Sequence, residues 1–406
     1  MKKTLKKVLP YTILLISISS VLQWCTLPIG NTFLWWLLQS FILFTFYKLK
    51  PTIYTILPIK IFLVYLGFSA IYGAVFMTEN YWDWKLLVNN LMVFSIPLVT
   101  MAFANPIYIY QVLKCWFSYA WIILILLAPF LGSDAYGRFL VPFTFMALFI
   151  TKLNKKYILL TAIAFIITIT LGSDSRSDTL KFGICLTLGF SVFFSSIWEN
   201  KKLMLCIALV MMLAPIVFFI LGISGTFNIF KIEEELGLEG KYEIQNSGGE
   251  EYSALTDTRT FLYVEELQSA IKNEYTILGR SIARGYDSQA FGYEVDQTLG
   301  TNRGERPRCE TSILNIFNYF GVLGVIIYFI IFFRASFLAI YRSKNLFIPV
   351  IGVYVAFRWI FAWVEDFSRF DLNYMFLWIL IGMCYSPIFR NMSNKDCENW
   401  LYNIIR

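Results

Sequence analysis

The chain contains no histidine, so any proton transfer or anion binding it performs falls to carboxylates and arginines. One stretch stands out. Glu310-Thr311 is followed by nine residues and then Gly321-Val322-Leu323-Gly324, where a long polar segment runs into an apolar one. A carboxylate at such a junction can accept or orient the proton of an attacking hydroxyl. It is also what the amino end of a helix attracts through its dipole, and the two glycines would let a neighbouring span pack closely. Arg176, in Gly172-Ser-Asp-Ser-Arg176-Ser-Asp-Thr-Leu180, opens an apolar segment. It reads either as a cation snorkelling from a helix end or as an anion site built from a guanidinium, hydroxyls and free helix N–H groups. Arg259 falls in the first turn of a loop helix, where a cation asks for an anionic partner; Asp257 is one, an external anion another. Arg280 and Arg284 sit one helical turn apart and suit either a diphosphate or plain surface charge. Arg303, Arg306 and Arg308 then lead directly to Glu310. Arg358 differs, because it lies inside the apolar run Val353–Trp363, seven residues before Glu365. That is roughly 10 Å below the end of its helix. A cation at such depth lines a cavity or pairs with a carboxylate.

These residues are positioned by a hydrophobic scaffold. The 406 residues are 58% hydrophobic, 18% aromatic and only 15% charged, against about a quarter charged in soluble domains. Apolar runs long enough for a ~30 Å hydrocarbon core recur along the chain. The pattern predicts an all-α polytopic membrane protein with about twelve spans. They fall near 8–25, 30–47, 58–77, 86–104, 112–131, 138–151, 157–172, 178–197, 203–222, 312–333, 346–364 and 372–386. Spans one to nine thus occupy 1–222, a large loop 223–311, spans ten to twelve 312–386, and a tail 387–406. With the amino terminus inside, inner segments and their flanking span ends hold 19 Lys/Arg against 3 Asp/Glu, and short outer loops 5 against 8. The large loop holds 9 against 16. This is the lysine and arginine bias of cytoplasmic segments, and it predicts both termini inside. The overall charge of +7 is then the sum of a basic and an acidic face, not a nucleic-acid signal.

In the loop, a polar stretch at 244–252 precedes a predicted helix over 258–272, with Asp257 as N-cap. Phe261, Val264, Leu267 and Ile271 form one apolar stripe, expected to lie on the membrane surface or on the span tops, with Glu265, Glu266 and Lys272 on other faces. Asn89 and Asn90 in the fourth span read as helix–helix hydrogen-bonding groups. Of seven cysteines only Cys309 lies in the loop, and neither a metal-type spacing nor a disulfide framework is visible. No internal repeat is visible, and the long insertion is external and late, which argues against a two-halves carrier.

Taken together, the residues resemble the O-antigen polymerase and O-antigen ligase superfamily of bacterial envelopes. Arg176-Ser-Asp-Thr-Leu180 matches its Arg-x3-Leu pattern on an outer loop. Glu310-Thr311-x9-Gly321-Val-Leu-Gly324 matches its spacing, with Glu where the ligases carry His. Asp257-Thr-Arg259 through Ile277-Leu-Gly279-Arg280 is similar to its Arg-containing loop helix and glycine turn. The similarity spans roughly 170–335. It implies inverting, metal-independent and cofactor-free glycosyl transfer from an undecaprenyl-diphosphate-linked glycan, on the periplasmic face of the inner membrane. In that scheme Glu310, Arg176 and Arg259 act at the reacting centre, and Arg280, Arg284, Arg306, Arg308 and Arg358 bind substrate. A chain-length regulator and a flippase of the same pathway are the implied partners. Glu at the histidine position favours a repeat-unit polymerase over a ligase; a lipid-linked-sugar flippase is the reading from another class.

Overall fold

Helices form wherever the apolar runs are unbroken, and most stop at residues that cap sharply. Asn80 accepts from Trp82 and Asp83 N–H groups while the Asp83 carboxylate reaches back to Asn80 N, a reciprocal box. Asn105, Asn154, Asn200, Asp371, Ser386 and Ser393 cap other helices with their side chains. The computed structural model describes residues 2–49, 56–172, 176–224, 243–245, 251–253 and 260–406.

Among the described residues seven helices are long and apolar enough to cross a membrane: Lys2–Trp24, Thr32–Leu49, Leu57–Met77, Tyr81–Ala102, Pro106–Phe130, Lys201–Ile223 and Ser312–Tyr341. The protein is therefore a helical, multi-pass membrane-integral chain. The other five predicted spans coincide with shorter elements. Lys155–Thr170 and Arg176–Ser191 are 16-residue helices, Phe347–Phe361 has 15 residues and Leu372–Tyr385 has 14. The segment expected at 138–151 is not one helix; it breaks into Ser133–Phe139, Val141–Ala147 and a final turn Ile150–Lys152. Pro142, which lacks an N–H and fixes its own φ, opens the second piece. The tail folds as Pro387–Asn391 and Asn394–Ile405, and Trp400 Nε1 donates to Pro106 O at 3.0 Å.

Connections gather at two ends. At one, Ser177 meets Glu365, Arg303 meets Asp83, and Thr26 N donates to Phe130 O. At the other, Lys152 pairs with Glu398, Lys201 donates to Ser343 O, and Ser386 donates to Ala104 O. The described part of the large loop from Thr260 onward folds onto the first end, called here the loop end.

The long helix Ser312–Tyr341 is broken at Gly321, whose φ of +63° and ψ of −168° are non-helical. A break frees backbone groups on both sides, and inside a bundle each needs a partner. The turn Tyr275–Gly279 of the large loop supplies most of them. Val322 N donates to Thr276 O at 2.9 Å, Leu323 N to Ile277 O at 3.2 Å, and Arg280 N to Asn318 O at 2.6 Å. Tyr65 Oη donates to Phe320 O at 3.0 Å and to Leu278 O at 2.7 Å, tying the third span to both strands of the crossing. The two backbones touch so closely that a Cβ on Gly321 would collide with Ile277 O, and one on Gly279 (φ +78°) with Phe320 N. Glycine is required at both positions. The two glycine motifs seen separately in sequence are thus two halves of one backbone crossing.

The loop helix spans Thr260–Lys272, but its buried face is Leu262, Tyr263, Glu266, Ser269 and Ala270. The apolar stripe expected from periodicity is a different face. Phe261, Val264 and Ile271 are exposed, and Val264 and Leu267 border an apolar groove with Phe219 and Trp363. The expected N-cap Asp257 and Arg259 lie outside the described residues.

Candidate functional site

The loop end carries a dense charge network, and it divides the predicted site residues into groups. Glu310 immediately precedes the long helix and is half-exposed; its Oε1 accepts from Arg306 Nη2 at 2.9 Å. Arg306 is held in place by stacking 3.9 Å above the Phe291 ring. Burial lowers the Arg306 pKa, but its bonds to Glu310 and Tyr286 outweigh this and leave it raised. Arg308 Nη2 donates to Asp366 Oδ2 at 2.8 Å and also to Ser368 O. Burial pushes the Asp366 carboxyl up, yet Arg308 and Arg369 together with the Ser368 hydrogen bonds bring it below its ordinary value.

Arg280 and Arg284 share one acid. Arg280 reaches Glu305 Oε1 and Asp287 Oδ1, each at 2.9 Å, and Arg284 grips both oxygens of Glu305. The Glu305 bond is the main reason the Arg284 pKa is raised. Asp287 is held low: burial opposes its ionisation, but bonds from Lys272, Asn273 and Arg280 prevail. Arg303 pairs with Asp83 at 2.9 Å and Glu79 at 2.5 Å. Arg303, and Arg284 through Glu79 at 3.6 Å, tie the loop to the bundle, whereas Arg280 braces the loop internally. Both Arg280 and Arg284 nevertheless border a side cleft of about 940 Å³ beside the re-entrant turn, lined also by Tyr65, Phe68, Tyr72 and Leu278.

Arg176 opens the helix Arg176–Ser191 and is exposed. Its neighbour Ser177 donates to Glu365 Oε1 at 2.7 Å, while Glu365 O accepts from Ser312 N at 3.1 Å. Glu365 therefore links the start of the Arg176 helix to the start of the Glu310 helix. Arg358 lies apart from this rim. It is 2% exposed, donates from Nη1 to Asn373 Oδ1 at 3.0 Å, and sits 4.6 Å from the Phe367 ring. As depth implied, it lines a cavity, and its neighbours there include Asp178, Lys181 and Cys185. Asn89 and Asn90 do bond, but differently: Asn89 accepts from Trp36 Nε1 at 2.6 Å, whereas Asn90 donates to Ile282 O of the loop at 2.9 Å.

Sequence reasoning missed the acids that organise the site, Glu305, Glu365 and Asp366, and a second buried set. Lys181 lies 2.5 Å from Asp178 and 3.5 Å from Glu365, and Arg138 lies 3.7 Å from Asp371 and 4.0 Å from the Trp24 ring. Burial, only partly countered by Arg138, raises the Asp371 pKa. The available signal was the run Glu365-Asp366-x-x-Arg369-x-Asp371 between two apolar segments, four charges in seven residues.

Chemically, the rim offers a half-exposed carboxylate at a helix start, an exposed arginine on an adjoining helix start, and a cleft reaching down from the loop. No protein-family model, curated protein or solved structure matches the chain.

Proposed function

We propose that the protein polymerises undecaprenyl-diphosphate-linked oligosaccharide repeat units into a surface polysaccharide, by inverting glycosyl transfer at the loop end. The observation that carries this reading is the joining of the Arg176 and Glu310 helix starts through Glu365. An acceptor hydroxyl attacks the anomeric carbon and gives its proton to Glu310. The bond from that carbon to the diphosphate oxygen breaks, and undecaprenyl diphosphate leaves with the electron pair. Arg176 faces the growing negative charge, the role in which a guanidinium is most effective. The side cleft, apolar below and bordered by Arg280 and Arg284, suits a lipid-borne substrate. In this reading the chain crosses the bacterial inner membrane twelve times, with both termini cytoplasmic and the loop end periplasmic. The sorting of connections into two ends, and the lysine-rich character of the end opposite the loop, support it.

Replacing Arg176 by Ala or Glu310 by Gln is expected to abolish long glycan chains while membrane insertion is preserved. Normal chain-length ladders from both variants would overturn the assignment.

A further inference from the structure

Arg358 points to a second site, inside the bundle. No carboxylate stands within 4.0 Å of its guanidinium among the described residues, and its Nε and Nη2 have no acceptor. Burying an uncompensated cation is costly, so a group in this position needs an explanation. The cavity it borders supplies one. Asn373 and Lys181, from two other helices, border the same cavity; Asn373 Nδ2 also lacks a hydrogen-bond acceptor, whereas Lys181 Nζ lies 2.5 Å from Asp178 Oδ1. Both residues are buried, at 3% exposure each.

The groups lining the space are unevenly matched. Asp178 is the one carboxylate there, and it lies 2.5 Å from Lys181. Thr144 spends its proton on Val141 O. The lysine charge is balanced twice over, by Asp178 and Glu365, whereas Arg358 is balanced by no acid. Three donor nitrogens, two on Arg358 and one on Asn373, therefore border this space without a hydrogen-bond acceptor. The free space is about 20 Å³, enough for a single water-sized occupant. A water has two lone pairs and no charge. A monatomic anion has the same size, accepts from every direction and neutralises the guanidinium.

We propose that this cavity binds one chloride-sized monovalent anion, held by Arg358 and Asn373. The site is independent of the glycosyl-transfer reading and structural in role: it offsets a buried charge that has no acid at ion-pair distance among the described residues. Its size excludes phosphate, which separates it from any diphosphate-binding surface at the rim.

The test uses the full-length protein purified in detergent, unfolded thermally in chloride, bromide, phosphate or gluconate at constant ionic strength. Chloride and bromide are expected to raise the midpoint saturably by about 2–4 °C over gluconate, phosphate to match gluconate, and Arg358→Gln to abolish the response. Bromide-soaked crystals are expected to show an anomalous peak beside Arg358. Equal midpoints in chloride and gluconate would overturn the proposal even if Arg358→Gln fails to fold. So would a chloride response that persists in Arg358→Gln, or phosphate replacing chloride.

Discussion

The arginines of the large loop and those of the bundle solve the same problem in opposite ways. Arg280, Arg284, Arg303, Arg306 and Arg308 each have a carboxylate partner, and Glu305 serves two of them. The loop is rich in acids, and part of that excess is spent on fixing its own cations. In the bundle, Arg358 has an amide and a ring, and Arg138 has an acid at 3.7 Å with its Nε unbonded. A loop can adjust its backbone until each guanidinium fork is filled. Helices cannot, because packing fixes where their side chains start. Saturated charges hold structure; leftover ones mark places where something else must bind.

The largest effect should come from breaking saturation where it is most shared. Glu305→Ala leaves Arg280 without one partner and Arg284 without its bidentate one, at side-chain exposures of 11% and 12%. The loss should be about 3 kcal/mol, as for other mostly buried pairs that lose one member, read from denaturant or thermal unfolding in detergent. A loss below about 1 kcal/mol would mean the loop arginines are screened by water, and the contrast with the bundle would collapse.

How much of this was visible in sequence depends on how local the cause was. Apolar runs are local, so the helical membrane class is legible: seven of the twelve predicted spans emerge as helices long enough to cross a membrane and four as helices of 14–16 residues, while the segment at 138–151 breaks where Pro142 interrupts a short run. Glycine motifs are local too, but Gly279 and Gly321 were legible only as flexible points. Their function is a contact between chain positions 42 residues apart, which spacing does not encode. The apolar stripe of the loop helix is legible from periodicity, but not which of its residues the bundle buries. Here Glu266 and Ser269 go inside, bonded around Tyr275, and Phe261 and Ile271 stay out. The acids Glu305, Glu365 and Asp366 were read merely as loop charge, since nothing in a single sequence says which arginine an acid will meet.

Glu266 is the exception that sharpens the comparison: a loop acid, fully buried, bonded among the described residues only to the Tyr275 hydroxyl and with no cation of theirs at ion-pair distance. Burial raises its pKa well above 4.5. The sign follows directly. A carboxyl with a raised folded pKa keeps a proton that the unfolded chain releases, so stability falls as pH rises above about 4.5 and levels off only above the folded value. Glu266→Gln should remove that decline and make the variant the more stable protein at neutral pH. Unfolding midpoints of the two proteins that run parallel from pH 5 to 8 would contradict the neutral-acid assignment. Asp287, held low by its cations, carries the opposite slope, with stability lost only as pH falls below the ordinary carboxylate range.

Arg358→Met offers a smaller change in stability despite removing a fully buried charge. A well-packed apolar replacement for a poorly compensated ion is often neutral or stabilising, so in gluconate the midpoint should hold or rise. A large loss there would show that Arg358 is a satisfied structural cation after all, and would move it into the same group as the loop arginines.

The smallest stability effect belongs to Glu310, and this is what makes it informative. Its side chain is 50% exposed and its pair with Arg306 is an i,i+4 contact at a surface, worth about 0.5 kcal/mol or less. Arg306 keeps its position without it, through the Phe291 ring and Tyr286. Glu310→Gln preserves shape and one acceptor oxygen while removing the carboxylate proposed to take the acceptor proton. Unfolding should therefore be nearly unchanged in the same membranes where long glycan chains disappear. If chain length also stays normal, Glu310 is a rim charge that caps the helix at Ser312, and the base of the reaction must be sought among the other acids of the loop end, with Glu365, Asp366 and Asp371 the first to replace.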